Sequence, residues 1–182
     1  MFKRPSAEVL GLSPSVDGAR RFRGALFRLA GERSNWTNFL AAEQDGQVVG
    51  FAETGATEPA LRDFARAALR SFGRLGSFHA AWLSWPRGRV DLATPPGALH
   101  LVELQVDPDK RNRGIGGALI EAVVRMGWEG RYPLISLTTA TSNPARRLYE
   151  RHGFSVVAMR TNRAYQRRTG AEGRVLMVKQ LL

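Results

Sequence analysis

Residues 99–122 read LHLVELQV (99–106), DPDKRNRGIGG (107–117) and ALIEA (118–122), and this stretch decides the fold. Leu99–Val106 is a mostly apolar run rich in strand formers, with one carboxylate, Glu103, inside it. Beyond it, Ile115, Ala118, Leu119, Ala122, Val123 and Met126 recur at three- and four-residue steps, which predicts an amphipathic helix. The turn between them holds Arg111, Arg113, Gly114, Gly116 and Gly117. A strand that turns through glycines into a helix aims backbone N–H groups, the positive end of the helix dipole and nearby cations at one point. That point suits a phosphate.

Spacing narrows the choice of ligand. A Walker-type loop needs a Gly-Lys-Ser/Thr ending, and none occurs. A dinucleotide fingerprint needs a third glycine where Leu119 stands. Arg111-Asn112-Arg113-Gly114-Ile115-Gly116 instead resembles the Arg/Gln-x-x-Gly-x-Gly/Ala signature of the GNAT superfamily of acyl-CoA-dependent N-acetyltransferases. Leu104-Gln105-Val106-Asp107-Pro108 is similar to that family's strand and turn before the loop. A second segment, Asn143-Pro144-Ala145-Arg146-Arg147-Leu148-Tyr149 running on to Gly153-Phe154, resembles the family's other hallmark. Locally, Asn143 reads as a cap, Pro144 as the first helical position and Gly153 as a left-handed stop. The two segments stand in the family's order, separated by a helix and a strand at 134–139. The resemblance is close over 99–160.

The remainder of the chain is read outward from that centre. Its 182 residues are expected to form one domain, 1–182, with a substantial core. Asp45-Gly46 between two β-rich runs, 38–44 and 47–54, is a strong hairpin signal. Residues 17–30 show a helical face, and 7–12 read as a weak strand. Residues 56–98 depart from the family pattern as an insertion, with a helix over 58–72 and a strand over 77–85. Residues 156–160 and 174–181 read as closing strands joined by a polar, Arg-rich loop. The expected class is α/β: a single GNAT-like domain with a central mixed β-sheet and helices on both faces.

Composition excludes several functions. With no cysteine there is no disulfide, no thiolate metal site and no acetyl-cysteine route. His79, His100 and His152 lack paired ligand spacing, so no metal is expected. No apolar run approaches a membrane span, and MFKRPSAEVLGL has too short and broken an apolar stretch for a signal peptide, so the expected location is cytoplasmic. The net charge of +11, from 27 Lys+Arg against 16 Asp+Glu, could mark a nucleic-acid partner. The arginines are scattered and not interleaved with aromatics, which favours solvated faces over base stacking.

The resemblance implies acetyl transfer from acetyl-CoA to a primary amine by direct attack, through a tetrahedral intermediate. It places the pyrophosphate on Arg111, Arg113, Gly114, Ile115, Gly116, Gly117 and Ala118. Backbone groups of Leu104, Gln105 and Val106 would meet the pantetheine and the acetyl carbonyl, with Asn143 on the pantetheine arm. Tyr149 matches the family's frequent general acid for the departing thiolate; the alternative is a core aromatic. Glu103 is the candidate base, because a carboxylate inside this strand is costly without a role; a salt bridge is the competing reading. His100 is the reserve base, although simple alternation sets it on the opposite face. Other family members use a Glu where this chain has Thr138, which weakens a match to the ribosomal-protein N-terminal acetyltransferases. The expected partners are acetyl-CoA, an amine acceptor and, as one option, a second copy of the chain. The competing class is a binding module: a GNAT-like domain that holds acyl-CoA without turnover, or a basic nucleic-acid-binding protein.

Overall fold

The computed structural model describes residues 38–55 and 88–181. The strand expected at 7–12, the helices at 17–30 and 58–72, and the strand at 77–85 lie outside the described residues. The chain divides into two compact units. One comprises Trp36–Glu58, Leu92–Arg160 and Arg174–Leu182, and the other Met1–Asn35, Pro59–Asp91 and Thr161–Gly173.

In chain order the described elements are β1 (Phe39–Gln44), β2 (Gln47–Gly55), β3 (Leu99–Val106), α1 (Ile115–Glu129), β4 (Leu134–Ala140), α2 (Arg146–Arg151), β5 (Ser155–Thr161), α3 (Arg163–Thr169) and β6 (Gly173–Gln180). The strands form one mixed six-stranded sheet in the order β1-β2-β3-β4-β6-β5. β3 and β4 pair in parallel, joined by the α1 crossover, whereas β1–β2, β2–β3 and β4–β6 pair antiparallel. Asp45 and Gly46 both have positive φ, 55° and 71°, the conformation of a tight I′-type hairpin turn.

One face of the sheet carries α1. Leu119, Ile120 and Val123 pack with Ala52, Leu99, Leu101, Ile135, Leu137 and Met177 in one apolar core. The buried arc of α1 is turned slightly from the sequence expectation: Ile120 is fully buried, whereas Ala118 is exposed. Core-facing helical arcs are more than 100° wide, wide enough to take in adjacent residues such as Leu119 and Ile120. The opposite face is also buried in the central strands, at His100, Ser136, Leu176 and Val178.

A bulge changes which side chains share a face. β2 and β3 pair as Ala52↔Leu104 and Glu53↔Glu103, then as Thr54↔Leu101 and Gly55↔His100, leaving Val102 as an extra residue. Leu101 and Leu104 therefore both face α1, while His100 and Glu103 share the opposite face. Simple alternation placed His100 and Glu103 on different faces; the extra residue reverses that.

The second unit contributes a helix where the sequence reading had a loop. Asn162 caps α3 by accepting from the amides of Ala164 and Tyr165 at 3.0 and 3.1 Å, and Gly170 ends it at φ 77°. Tyr165 is its buried anchor. Among the described residues, no helix is long and apolar enough to cross a membrane.

Candidate active site

The site is built where β3 and β4 part. Their pairing runs only from Leu99↔Ile135 to Leu101↔Leu137. Beyond that point β3 follows β2 as far as Val106, and β4 follows β6 as far as Ala140. A wedge opens between the two strands. The Asp107 amide donates to the Val49 carbonyl at 2.8 Å, so it points towards β2. Backbone groups alternate sides along a strand, so those of Gln105 also point to β2, and those of Leu104 and Val106 point into the wedge. Of the three residues expected to offer backbone groups, Leu104 and Val106 turn theirs into the wedge and Gln105 turns its own to β2. Gln105 instead donates its side-chain amide to the Glu103 carboxylate.

The turn after β3 is held by local bonds. The Asp107 carboxylate accepts from the Asp109 amide at 3.0 Å, at the start of a 3₁₀ turn over Pro108–Lys110. Arg111 Nε donates to the Val106 carbonyl at 3.3 Å, which ties the loop to the strand. Asn112 and Gly114 take positive φ, 60° and 81°. Gly114 opens α1 without a side-chain cap, and the first helical bond runs from the Ala118 amide to the Gly114 carbonyl at 3.0 Å. The amides of Ile115, Gly116 and Gly117 thus have no partner within the helix, at its positive end. Arg113 is exposed beside them.

The three glycines of this turn do different work. A Cβ on Gly114 would meet open space, so its positive φ is what requires glycine. A Cβ on Gly116 would come within 3.1 Å of Leu148 Cδ2, and one on Gly117 within 3.1 Å of His152 Nε2. Those two glycines let α2 lie against the first turn of α1. His152, at the C-terminal end of α2, packs its ring on Gly117.

That contact brings α2, the helix that carries Tyr149, against the glycine turn. Tyr149 is 7% exposed and packs edge-on to Phe154, with ring centroids 6.1 Å apart. Burial pushes its phenol up to about 12. Asn143 ties the end of β4 to α2: its amide nitrogen donates to Thr139 Oγ1 at 2.6 Å, and its amide oxygen accepts from the Ala145 amide at 2.9 Å. α2 starts at Arg146, later than the Pro144 start expected, because Asn143 closes a turn over Pro144 and does not cap a helix there. Gly153 supplies the expected left-handed stop, at φ 83°.

His100 is not exposed for proton transfer with solvent or substrate. It is 6% exposed, and its Nδ1 lies 2.8 Å from Ser136 Oγ. Burial, aided by the Arg174 guanidinium, lowers its pKa to about 4. Arg174 donates to the Thr138 carbonyl at 3.4 Å, at the position where relatives were expected to carry a carboxylate. Ser136 and Arg174 were not singled out by the sequence reading. Their one signal is a polar side chain next to the apolar residues of a strand. Among the described residues, no three His, Asp or Glu side chains gather as metal ligands. In the other unit, a cavity of about 580 Å³ is lined by residues including Arg89, Asn162, Arg163, Arg167 and Glu172; it contains none of the expected site residues.

Comparisons with known proteins agree with this architecture. The profile of the acetyltransferase (GNAT) family matches residues 14–154. Ard1 from Thermoplasma volcanium is 18% identical with a TM-score of 0.56, over 88% of this chain and 80% of its own. The ribosomal-protein-S18-alanine N-acetyltransferase of Escherichia coli is 20% identical with a TM-score of 0.52, over 85% and 75%. A GNAT family acetyltransferase from Elizabethkingia anophelis, solved with acetyl-CoA bound, is 15% identical with a TM-score of 0.52, over 85% and 82%. A comparison with curated proteins returned no match. At these identities the solved structures speak for the fold alone, and the profile, which spans most of the chain, speaks for the family. With its mixed sheet, parted parallel strands and glycine turn, the chain belongs to the acetyltransferase (GNAT) family of enzymes.

Proposed function

We propose that this enzyme transfers the acetyl group of acetyl-CoA to a primary amine by direct attack, in one domain spanning 1–182 with 56–98 as an addition. The observation that carries this reading is the wedge between β3 and β4, with an uncapped helix start at the end of the turn that follows β3. In the wedge the thioester carbonyl would lie along Leu104 and Val106, whose backbone N–H groups are suited to an oxyanion. The pyrophosphate would rest on the first-turn amides of Ile115, Gly116 and Gly117, with Gly114 giving room and Arg111 and Arg113 adding charge, while the Ala118 amide, expected to join them, is already bonded to the Gly114 carbonyl. Asn143 keeps spare donor and acceptor capacity for the pantetheine arm, since each amide atom has used only one bond.

The amine nitrogen attacks the carbonyl carbon, forming C–N and a tetrahedral oxyanion, whose collapse breaks C–S and releases CoA as its thiolate. Glu103, directly or through water, takes the ammonium proton. Tyr149 serves the sulfur. A phenol at about 12 is a weaker acid than a thiol near 8.5, so complete transfer to a free thiolate would be uphill by roughly 5 kcal/mol. Tyr149 therefore acts as a hydrogen-bond donor while charge builds on sulfur, and burial keeps its proton in place at neutral pH.

The acceptor class stays broad: a small amine, an antibiotic-like compound, an amino acid or a protein amine. The reading further takes the enzyme as cytoplasmic, with a homodimer as one option. Calorimetric titration with acetyl-CoA, followed by a thiol-release assay over an amine panel, tests it. Binding with amine-dependent release is the expected result. Absence of binding overturns the assignment, and binding with no turnover on any amine favours a non-catalytic acyl-CoA module.

A further inference from the structure

The contact between His100 and Ser136 sits at a particular place in the wedge. It is the middle of the three parallel pairs, Leu99↔Ile135, His100↔Ser136 and Leu101↔Leu137, and the next residue of β3 is the bulged Val102. Past Leu101↔Leu137 no backbone ladder joins β3 to β4, so the fork is held by few bonds. On the face away from α1, a side-chain bond spans the same two strands: Nδ1 to Oγ, 2.8 Å, with His100 6% and Ser136 0% exposed. The imidazole stays neutral when desolvated, with the Arg174 guanidinium acting in the same direction. A neutral ring keeps one N–H and one lone pair, so the bond survives in either tautomer, with Nδ1–H donating to Oγ or the hydroxyl donating to Nδ1.

Direct attack uses neither group. If stability alone were at stake, an apolar pair of matching shape would serve nearly as well here, because exchanging both partners of a buried hydrogen bond for apolar groups is close to neutral. A directional bond supplies something an apolar contact does not: a fixed separation of the two strands, one step before they part.

We propose that His100 and Ser136 are positioning residues, a clasp that sets the opening of the β3–β4 wedge and so the placement of the Leu104 and Val106 amides on the thioester. This rests on the reading of the wedge as the acetyl-CoA site. Leu104 lies only three residues beyond Leu101, so a change of angle at the fork reaches the donors directly. Misplacement of reacting groups by about 1 Å can cost on the order of 100-fold in rate.

The test uses three variants of the full chain: His100→Leu/Ser136→Ala, which removes both halves; Ser136→Ala alone; and His100→Asn, which keeps an amide near the Nδ1 position. Acetyl-CoA Kd, kcat, KM and the amide exchange rates of Leu101 and Leu137 are measured for each. The clasp predicts that the double variant melts close to wild type but binds acetyl-CoA about tenfold more weakly or worse, with lower kcat and faster exchange at the fork. His100→Asn should recover most of the loss. Wild-type Kd and kcat in a folded double variant overturn the clasp, as does a loss of melting temperature with no change in Kd or kcat. Should the double variant fail to fold, Ser136→Ala is judged by the same readouts. If wild-type protein binds no acetyl-CoA, the proposed function falls separately. The clasp is then decided by exchange alone, and unchanged rates at Leu101 and Leu137 in Ser136→Ala overturn it.

Discussion

Stability should fall steeply as the pH drops below 6.5, and His100 supplies a calculable part of the fall. The ring has a folded pKa of about 4 against 6.5 when exposed, because burial, with help from Arg174, disfavours the imidazolium. Between those values the unfolded chain binds a proton that the folded chain refuses. The His100 contribution is therefore fully present above about pH 6.5 and is lost as the pH falls through the folded pKa. The fall from 6.5 to about 4 corresponds to roughly 3 kcal/mol in total, of which about 2 kcal/mol is gone by pH 5. Carboxylates also titrate in this range, so the quantity to measure is a difference. Urea unfolding of wild type and His100→Asn, at half-unit steps from pH 8 to pH 4, gives two stability curves. Their difference should be flat above about pH 7.5 and should narrow by about 2 kcal/mol at pH 5. A difference that stays constant across the range would refute the claim that His100 is held neutral in the fold.

The glycine turn and its neighbours give further outcomes. Gly114→Val should weaken acetyl-CoA binding, and its φ of 81° adds strain of about 1–2 kcal/mol. Gly116→Val should instead destabilise the fold by about 1–3 kcal/mol, because its side chain meets Leu148; calorimetric binding and thermal melts on both variants check the contrast. Arg113→Ala, at an exposed position, should weaken binding by only about 1 kcal/mol, with a dependence on salt that an isotherm at two ionic strengths would show. Tyr149, with its pKa raised to about 12, should make the fold lose stability as the pH rises from 10 through 12. Tyr149→Phe should abolish that part of the alkaline loss in unfolding curves.

The amount of this fold that was legible in sequence depends on the range of the interactions concerned. Asp45-Gly46 announced its hairpin because both residues tolerate positive φ, and β3, the turn and α1 were readable from a change of period around glycines. These are local signals. The Val102 bulge was not legible, since it arises from how β2 and β3 settle into register, and it moved Glu103 onto the face of His100. α3 reads as a loop in sequence because its exposed arginines hide the pattern, although Asn162 and Gly170 mark its two ends. At the site, the glycine motif was visible, but the division of labour within it was not. Gly114 is needed for its own backbone, whereas Gly116 and Gly117 are needed because Leu148 and His152 of a distant segment pack on them. The His100–Ser136 contact joins two strands separated by a whole helix and has no local signature.

Steady-state thiol release by wild type and Tyr149→Phe, on an amine that supports turnover and with acetyl-CoA binding measured on the same preparations, tests the central claim most directly. Losing the hydroxyl while keeping the ring against Phe154 should leave binding near wild type and, as the loss of one hydrogen-bond donor to the charge developing on sulfur, cut turnover by roughly 100-fold or more. Full activity in a folded, acetyl-CoA-binding Tyr149→Phe protein would contradict the account.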